Sequence, residues 1–149
     1  MNLLLEDWLA WSADEMDFVL DRDHDLIRRQ GPEPPVPAML RRRLDATGRA
    51  VSDVLTLLDP EQTFPIVHAS RHGDVKSSLA MLQALAASEP LSPAKFSMSV
   101  HNAVLGVHSI ARNNTRSMQA LAACGEELDA MLLEAAGYLL EGHEAVLAI

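Results

Sequence analysis

The stretch Phe64-Pro65-Ile66-Val67-His68-Ala69-Ser70-Arg71-His72-Gly73 decides the fold class. It is short, apolar and partly β-branched, and Pro65 and Gly73 bound it, as expected of a strand buried on both faces. Helical periodicity flanks it. Upstream, Met39, Leu40, Leu44, Thr47, Val51, Val54, Leu55 and Leu58 recur at three and four residues, which predicts a helix from Pro37 to a stop at Asp59-Pro60. Downstream, a second helix is predicted over 74–88, with Val75, Leu79, Leu82, Leu85 and Ala86 on one face and Pro90 and Pro93 closing it.

The alternation continues to the last residue. Ser99-Val100-His101-Asn102-Ala103 opens a third helical pattern within 97–112, carried by Ala103, Val104, Val107, His108 and Ile110. Gly106 inside it costs about 1 kcal/mol of helix propensity relative to alanine, which points to close packing there. Ser117 to Ala122 alternates weakly and reads as a strand. Residues 126–140 read as a helix with Leu128, Met131, Leu132, Ala135, Ala136 and Leu139 inward. After Gly142, Ala145-Val146-Leu147-Ala148-Ile149 is apolar throughout and reads as an interior strand. An interior strand is an unusual place for a polypeptide to stop, so further chain or a second subunit is expected over that region. Strands and helices in this order predict an α/β layered domain with a mainly parallel sheet flanked by helices.

Residues 1–36 carry a different composition. Leu3 to Trp11 suits an edge strand or a short helix, and the acids Asp14, Glu15, Asp17, Asp21, Asp23 and Asp25 around Phe18, Val19 and Leu20 suit a surface connection. Gly31-Pro32-Glu33-Pro34-Pro35-Val36-Pro37 holds neither helix nor central strand, because each proline lacks an N–H and restricts its predecessor; it reads as a stiff loop. At 149 residues the whole chain, 1–149, fits one domain.

Composition narrows the function classes. With 48% hydrophobic and 22% charged residues the chain is globular, and no apolar run approaches the roughly 20 residues of a bilayer span. The start, Met1-Asn2-Leu3-Leu4-Leu5-Glu6-Asp7, lacks a basic region and meets two acids after three leucines, so it fails as a secretory signal. The lone Cys124 forms no internal disulfide, which fits a reducing compartment, the cytoplasm. A net charge of −9 argues against nucleic acid. One local basic cluster, Arg41-Arg42-Arg43 with Arg49, suits a solvated helix face or the docking of an acidic partner. His101 and His108 are spaced to share a helical face, while His68 and His72 flank a strand end. No carboxylate or cysteine spacing beside them suggests a metal, and no cofactor is expected.

The order of parts resembles the N-terminal half of a β-ketoacyl synthase, a thiolase-like layered fold, and specifically the shortened group similar to chain-length factors of aryl-polyene-type pathways. The resemblance rests on Pro37-Ala38-Met39-Leu40-Arg41-Arg42-Arg43-Leu44-Asp45, on Ala69-Ser70-Arg71-His72-Gly73-Asp74 and on Leu91-Ser92-Pro93-Ala94-Lys95-Phe96-Ser97-Met98-Ser99-Val100-His101-Asn102-Ala103. It continues through Ser109-Ile110-Ala111-Arg112 and Leu132-Leu133-Glu134-Ala135, and covers nearly everything from Pro37 onward.

That resemblance implies a nucleophile position at Cys124, where a helix N-terminus lowers a thiol pKa for acyl transfer from a carrier thioester. Gly125-Glu126-Glu127 departs from the usual hydroxyl residues, and two carboxylates beside the sulfur disfavour thiolate. The two histidines that ketosynthases use belong to a C-terminal half that these residues do not include. The leading expectation is therefore a non-catalytic, chain-length-factor-type subunit. It would pair with an active ketosynthase as a heterodimer, or form a homodimer, and serve fatty-acid or polyketide-type polyene synthesis. The resemblance sets its subunit interface at Ser117, Met118, Gln119, Ala120, Leu121 and Ala122, with Val100 and Asn102 nearby. Arg41, Arg42 and Arg43 would dock an acidic acyl carrier protein. Two alternatives stand beside it: a condensing or acyl-transferring enzyme that uses Cys124, and an interaction module built on residues 1–36.

Overall fold

The computed structural model describes residues 3–11, 18–20, 26–27 and 36–149. Near the start, β1 (Leu9–Trp11), β2 (Phe18–Leu20) and β3 (Leu26–Ile27) form an antiparallel sheet, with Leu9 opposite Leu20 and Phe18 opposite Ile27. Of the segment Leu3 to Trp11 only Leu9–Trp11 forms a strand, and residues 3–8 take neither of the two expected forms. The connection expected around Phe18, Val19 and Leu20 instead contains β2, because an apolar β-prone triplet pairs whatever acids flank it. The acids themselves and residues 31–35 of the proline-rich loop lie outside the described residues.

The helix predicted from Pro37 to Leu58 is two helices, α1 (Ala38–Arg41) and α2 (Ala46–Leu58). Asp45 makes the break: extended, it accepts the Gly48 N–H at 2.7 Å and caps α2. Strand β4 (Ile66–Ala69) follows, then α3 (Val75–Ala86), capped by the Asp74 carboxylate on Ser77 N. The third helical pattern is also split, into α4 (Pro93–Ser97) and α5 (Ala103–Arg112), joined by a turn at 98–102. The remaining elements are β5 (Met118–Leu121), α6 (Glu127–Leu140) and β6 (Leu147–Ala148).

The second sheet is parallel, in the order β5-β4-β6, with Ile66 opposite both Met118 and Leu147. Thus β4 is the interior strand, and its Ile66, Val67 and His68 are buried. The run 145–149 supplies an edge strand of this sheet, and its last residue still belongs to the ladder: Ile149 N donates to Val67 O at 2.9 Å and Ala69 N to Ile149 O at 2.7 Å. On one face of the sheet Leu55 of α2 and Leu105 of α5 close over Ile66, with Met118, Ala120 and Leu147 around them. Burying each such side chain stabilises the fold by roughly 1.5–3 kcal/mol. A second cluster, Val36, Leu44 and Val107, with Leu40 of α1 against it, packs α1 and the segments on either side of it onto α5. The other face of the sheet carries α6.

Two helix faces differ from expectation. Helix α3 has no buried residue, and Val75, Leu79, Leu82 and Leu85 on its apolar face stay exposed. On α6, Ala135 is buried and Met131 and Leu139 half-buried, but Leu128 and Leu132 point outward. Periodicity finds an apolar stripe and leaves open what covers it. Gly106 likewise is exposed, and a Cβ added there would meet nothing within 4 Å, so close packing is not its reason.

Candidate functional site

In open parallel sheets the loops beyond the carboxyl ends of the strands are where ligands sit. Three turns converge at that end: 70–74 after β4, 98–102 ahead of α5, and 122–126 after β5. The first two touch at Gly73, whose φ is +61°; a Cβ there would stand 2.7 Å from the Ser99 carbonyl oxygen and 3.3 Å from the Val100 carbonyl carbon. This contact explains why glycine stands in the 69–74 segment. It also brings together two of the segments that carry the family resemblance.

The third turn holds Cys124, exposed and in the left-handed region with φ +54°, three residues ahead of α6. Gly125 follows at φ +118°. Glu127, the first residue of α6, folds back so that Oε1 accepts the Gly125 N–H at 2.9 Å. The same carboxylate pairs with Arg71 from the β4–α3 turn, Nε to Oε1 at 3.0 Å and a terminal nitrogen to Oε2 at 3.3 Å. The Arg71 hydrogen bonds come first in lowering the Glu127 pKa to about 2, and Glu127 in turn raises that of Arg71. A Cβ on Gly125 would lie 3.1 Å from the Arg71 guanidinium, which sets that charge beside the cysteine turn.

In the sequence Glu126 and Glu127 are the charges next to the sulfur, and Arg71 is remote from it. The structure adds the cation. Turns after neighbouring parallel strands are themselves neighbours, so a charge two residues past β4 naturally faces one past β5; strand pairing was the information needed.

The histidines are dispersed. His101 precedes α5 in the 98–102 turn and so shares no helix face with His108, contrary to the spacing argument. His108 is buried against Ser52, Oγ to Nδ1 2.9 Å, and burial lowers its pKa to about 4. His68 donates from Nδ1 to the Ile149 carbonyl at 3.2 Å, and burial lowers its pKa as well. Among the described residues no histidine hydrogen-bonds Cys124, and no group of three or more His, Cys, Asp or Glu is placed to hold a metal ion. Also among them, no helix is long and apolar enough to cross a membrane.

Of the basic triplet, Arg41 grips Asp53 through both carboxylate oxygens, at 2.7 and 2.8 Å, while Arg42 and Arg43 are exposed. The segment expected at a subunit interface contains β5, which among the described residues is an edge strand of the parallel sheet. Ser117 is exposed and bonds Tyr138 Oη at 2.8 Å, Gln119 and Ala122 are exposed, and Met118, Ala120 and Leu121 are half-buried. Val100 and Asn102 are exposed, and Asn102 and Met118 line one open cleft of about 410 Å³ with Gly106 and Ser109.

Comparison with known proteins bears on this arrangement. A family model described as beta-ketoacyl synthase, N-terminal domain, matches residues 8–149. Among solved structures, a chain from the complex of the ketosynthase ApeO with its chain length factor ApeC, from Xenorhabdus doucetiae, is similar at 32% identity with a TM-score of 0.68. The match covers 85% of this chain and 52% of that one, so the present chain spans about half the length of its match. No curated protein matches.

Proposed function

The chain belongs to the β-ketoacyl synthase N-terminal-domain family, and from that premise we propose that it serves as a non-catalytic, chain-length-factor-type subunit of an active ketosynthase. It acts in the cytoplasm as one domain over 1–149, in fatty-acid or polyketide-type polyene synthesis, and needs no cofactor. Its contribution is shape: an apolar surface against the partner that limits how far an acyl chain extends. The likeness to a chain from a complex of a ketosynthase with its chain length factor supports that pairing.

One observation carries the non-catalytic reading. A thiol becomes a nucleophile when a helix N-terminus or a cation favours its thiolate. Here both positive elements near Cys124, the amide ahead of α6 and the Arg71 guanidinium, are engaged by the Glu127 carboxylate. The edge position of β5 supports the choice of 117–122 as the pairing strand, and exposed Arg42 and Arg43 support the docking of an acidic acyl carrier protein.

Reconstitution tests this reading. The chain is mixed with an active ketosynthase and acylated carrier protein, and product lengths are read with and without it, and with Cys124→Ala. We expect co-elution with the ketosynthase and a changed product length that survives Cys124→Ala. Transfer of carrier-bound acyl groups to Cys124, with activity lost in Cys124→Ala, overturns the reading in favour of a condensing enzyme.

A further inference from the structure

Arg71 and Glu127 belong to two different turns, yet their side chains meet in a two-point contact, and Glu127 Oε1 reaches further to the backbone N–H of Gly125. The contact joins the β4–α3 turn to the first residue of α6 directly across the turn that presents Cys124. Nothing in the packing of the core requires it, since Arg71 is exposed and Glu127 only half-buried.

We infer that Arg71 and Glu127 form a charge-compensating latch that closes the 122–126 turn against the 70–74 turn and leaves the exposed Cys124 thiol with no net charge beside it. The latch works through sign. The guanidinium alone beside the turn would favour the thiolate, and the carboxylate alone would oppose it; together they leave a near-neutral surrounding. Glu127 also occupies the Gly125 N–H, which otherwise points free at the start of α6. Arg71 and Glu127 are thus positioning residues for the thiol.

The sign of each effect separates this role from simple bracing. The readout is the rate at which Cys124 of the full chain is alkylated by iodoacetamide at one fixed neutral pH, the thiolate displacing iodide as the carbon–sulfur bond forms. Glu127→Gln keeps an oxygen for Gly125 N–H but drops the charge, so alkylation speeds up by roughly threefold or more. Arg71→Gln leaves the carboxylate unopposed and slows it by a similar factor. The double variant returns near the parent rate, Arg71→Lys retains most of it, and high salt shrinks all the differences. If both single variants move the rate in the same direction, or neither moves it, the latch is refuted and the contact is merely a brace. Because the assay needs no partner, its failure leaves the proposed pairing with a ketosynthase intact, and failure of that pairing leaves the latch intact.

Discussion

Ser52 Oγ of α2 stands 2.9 Å from His108 Nδ1 of α5, and both residues are buried, at 0% and 2% exposure. The pair ties the two helices that cover one face of the parallel sheet. A histidine there is stable only when neutral: its pKa falls from 6.5 to about 4, chiefly through burial, with the nearby Arg112 charge adding to the effect. Between those two values the unfolded chain binds a proton that the folded chain does not. Stability is therefore full above pH 6.5 and declines as the pH falls toward 4, by about 3 kcal/mol for such a shift. His68, also lowered by burial, acts in the same direction. Urea midpoints at pH 7 and pH 4.5 should show the loss, and His108→Gln, which can still bond Ser52, should reduce the difference between them.

Arg41 and Asp53 are the partly buried counterpart of the exposed Arg42 and Arg43. Truncating Arg41 to alanine removes the two-point contact with the Asp53 carboxylate, 9% exposed, and should cost about 2–3 kcal/mol. Reversing Arg42 and Arg43 to glutamate together should change stability by about 0.5 kcal/mol or less while weakening binding of an acidic carrier protein. Denaturant titration and binding measured at low and high salt check the two halves. Unchanged binding would leave the exposed arginines as solvent-facing charges only.

Gly73 tests the convergence of the turns. At φ +61° any other residue incurs the left-handed cost of roughly 1–2 kcal/mol, and a Cβ would press on the Ser99 carbonyl at 2.7 Å. Gly73→Ala should thus lose more than that backbone cost, about 3 kcal/mol or more by denaturation. The 98–102 turn should respond as well: hydrogen exchange at Val100 and His101 should quicken, because the two segments meet at this residue.

How much of this was legible follows the range of each interaction. The strand at 66–69 is written in its own residues, β-branched and apolar between Pro65 and Gly73, and so are the helix stops at Asp59-Pro60 and Pro90. The helix break at 42–45 was legible only through Asp45, whose capping preference competes with an apolar repeat that runs on through it. Leu79 and Leu82 declare an apolar face, but their exposure depends on what packs against α3, which periodicity does not contain. Cys124 is a candidate through the family resemblance, which implies a nucleophile at a turn between a strand and a helix. Its relation to Arg71 was hidden because the residues are 53 positions apart and meet only after β4 and β5 pair in parallel.

The outer edge of β5 offers the most direct test of the pairing strand. Ser117 O accepts from Ile66 N and Leu121 O from Ser70 N, so odd-numbered residues turn their backbone groups toward β4. By the alternation of a parallel ladder, Met118 and Ala120 turn theirs toward the open edge. Proline tells the two sets apart, since it removes an N–H and otherwise tolerates an edge strand. Ala120→Pro should leave the isolated chain folded, with a stability loss of about 1 kcal/mol or less. Gln119→Pro, which removes a bond to β4, should cost about 3 kcal/mol. If a ketosynthase adds its strand at this edge, Ala120→Pro also abolishes co-elution on size exclusion while far-ultraviolet circular dichroism and melting temperature stay near the parent values. Retained co-elution of a folded Ala120→Pro chain would move the interface away from β5, and the exposed faces of α3 and α6 would then be the surfaces to mutate next.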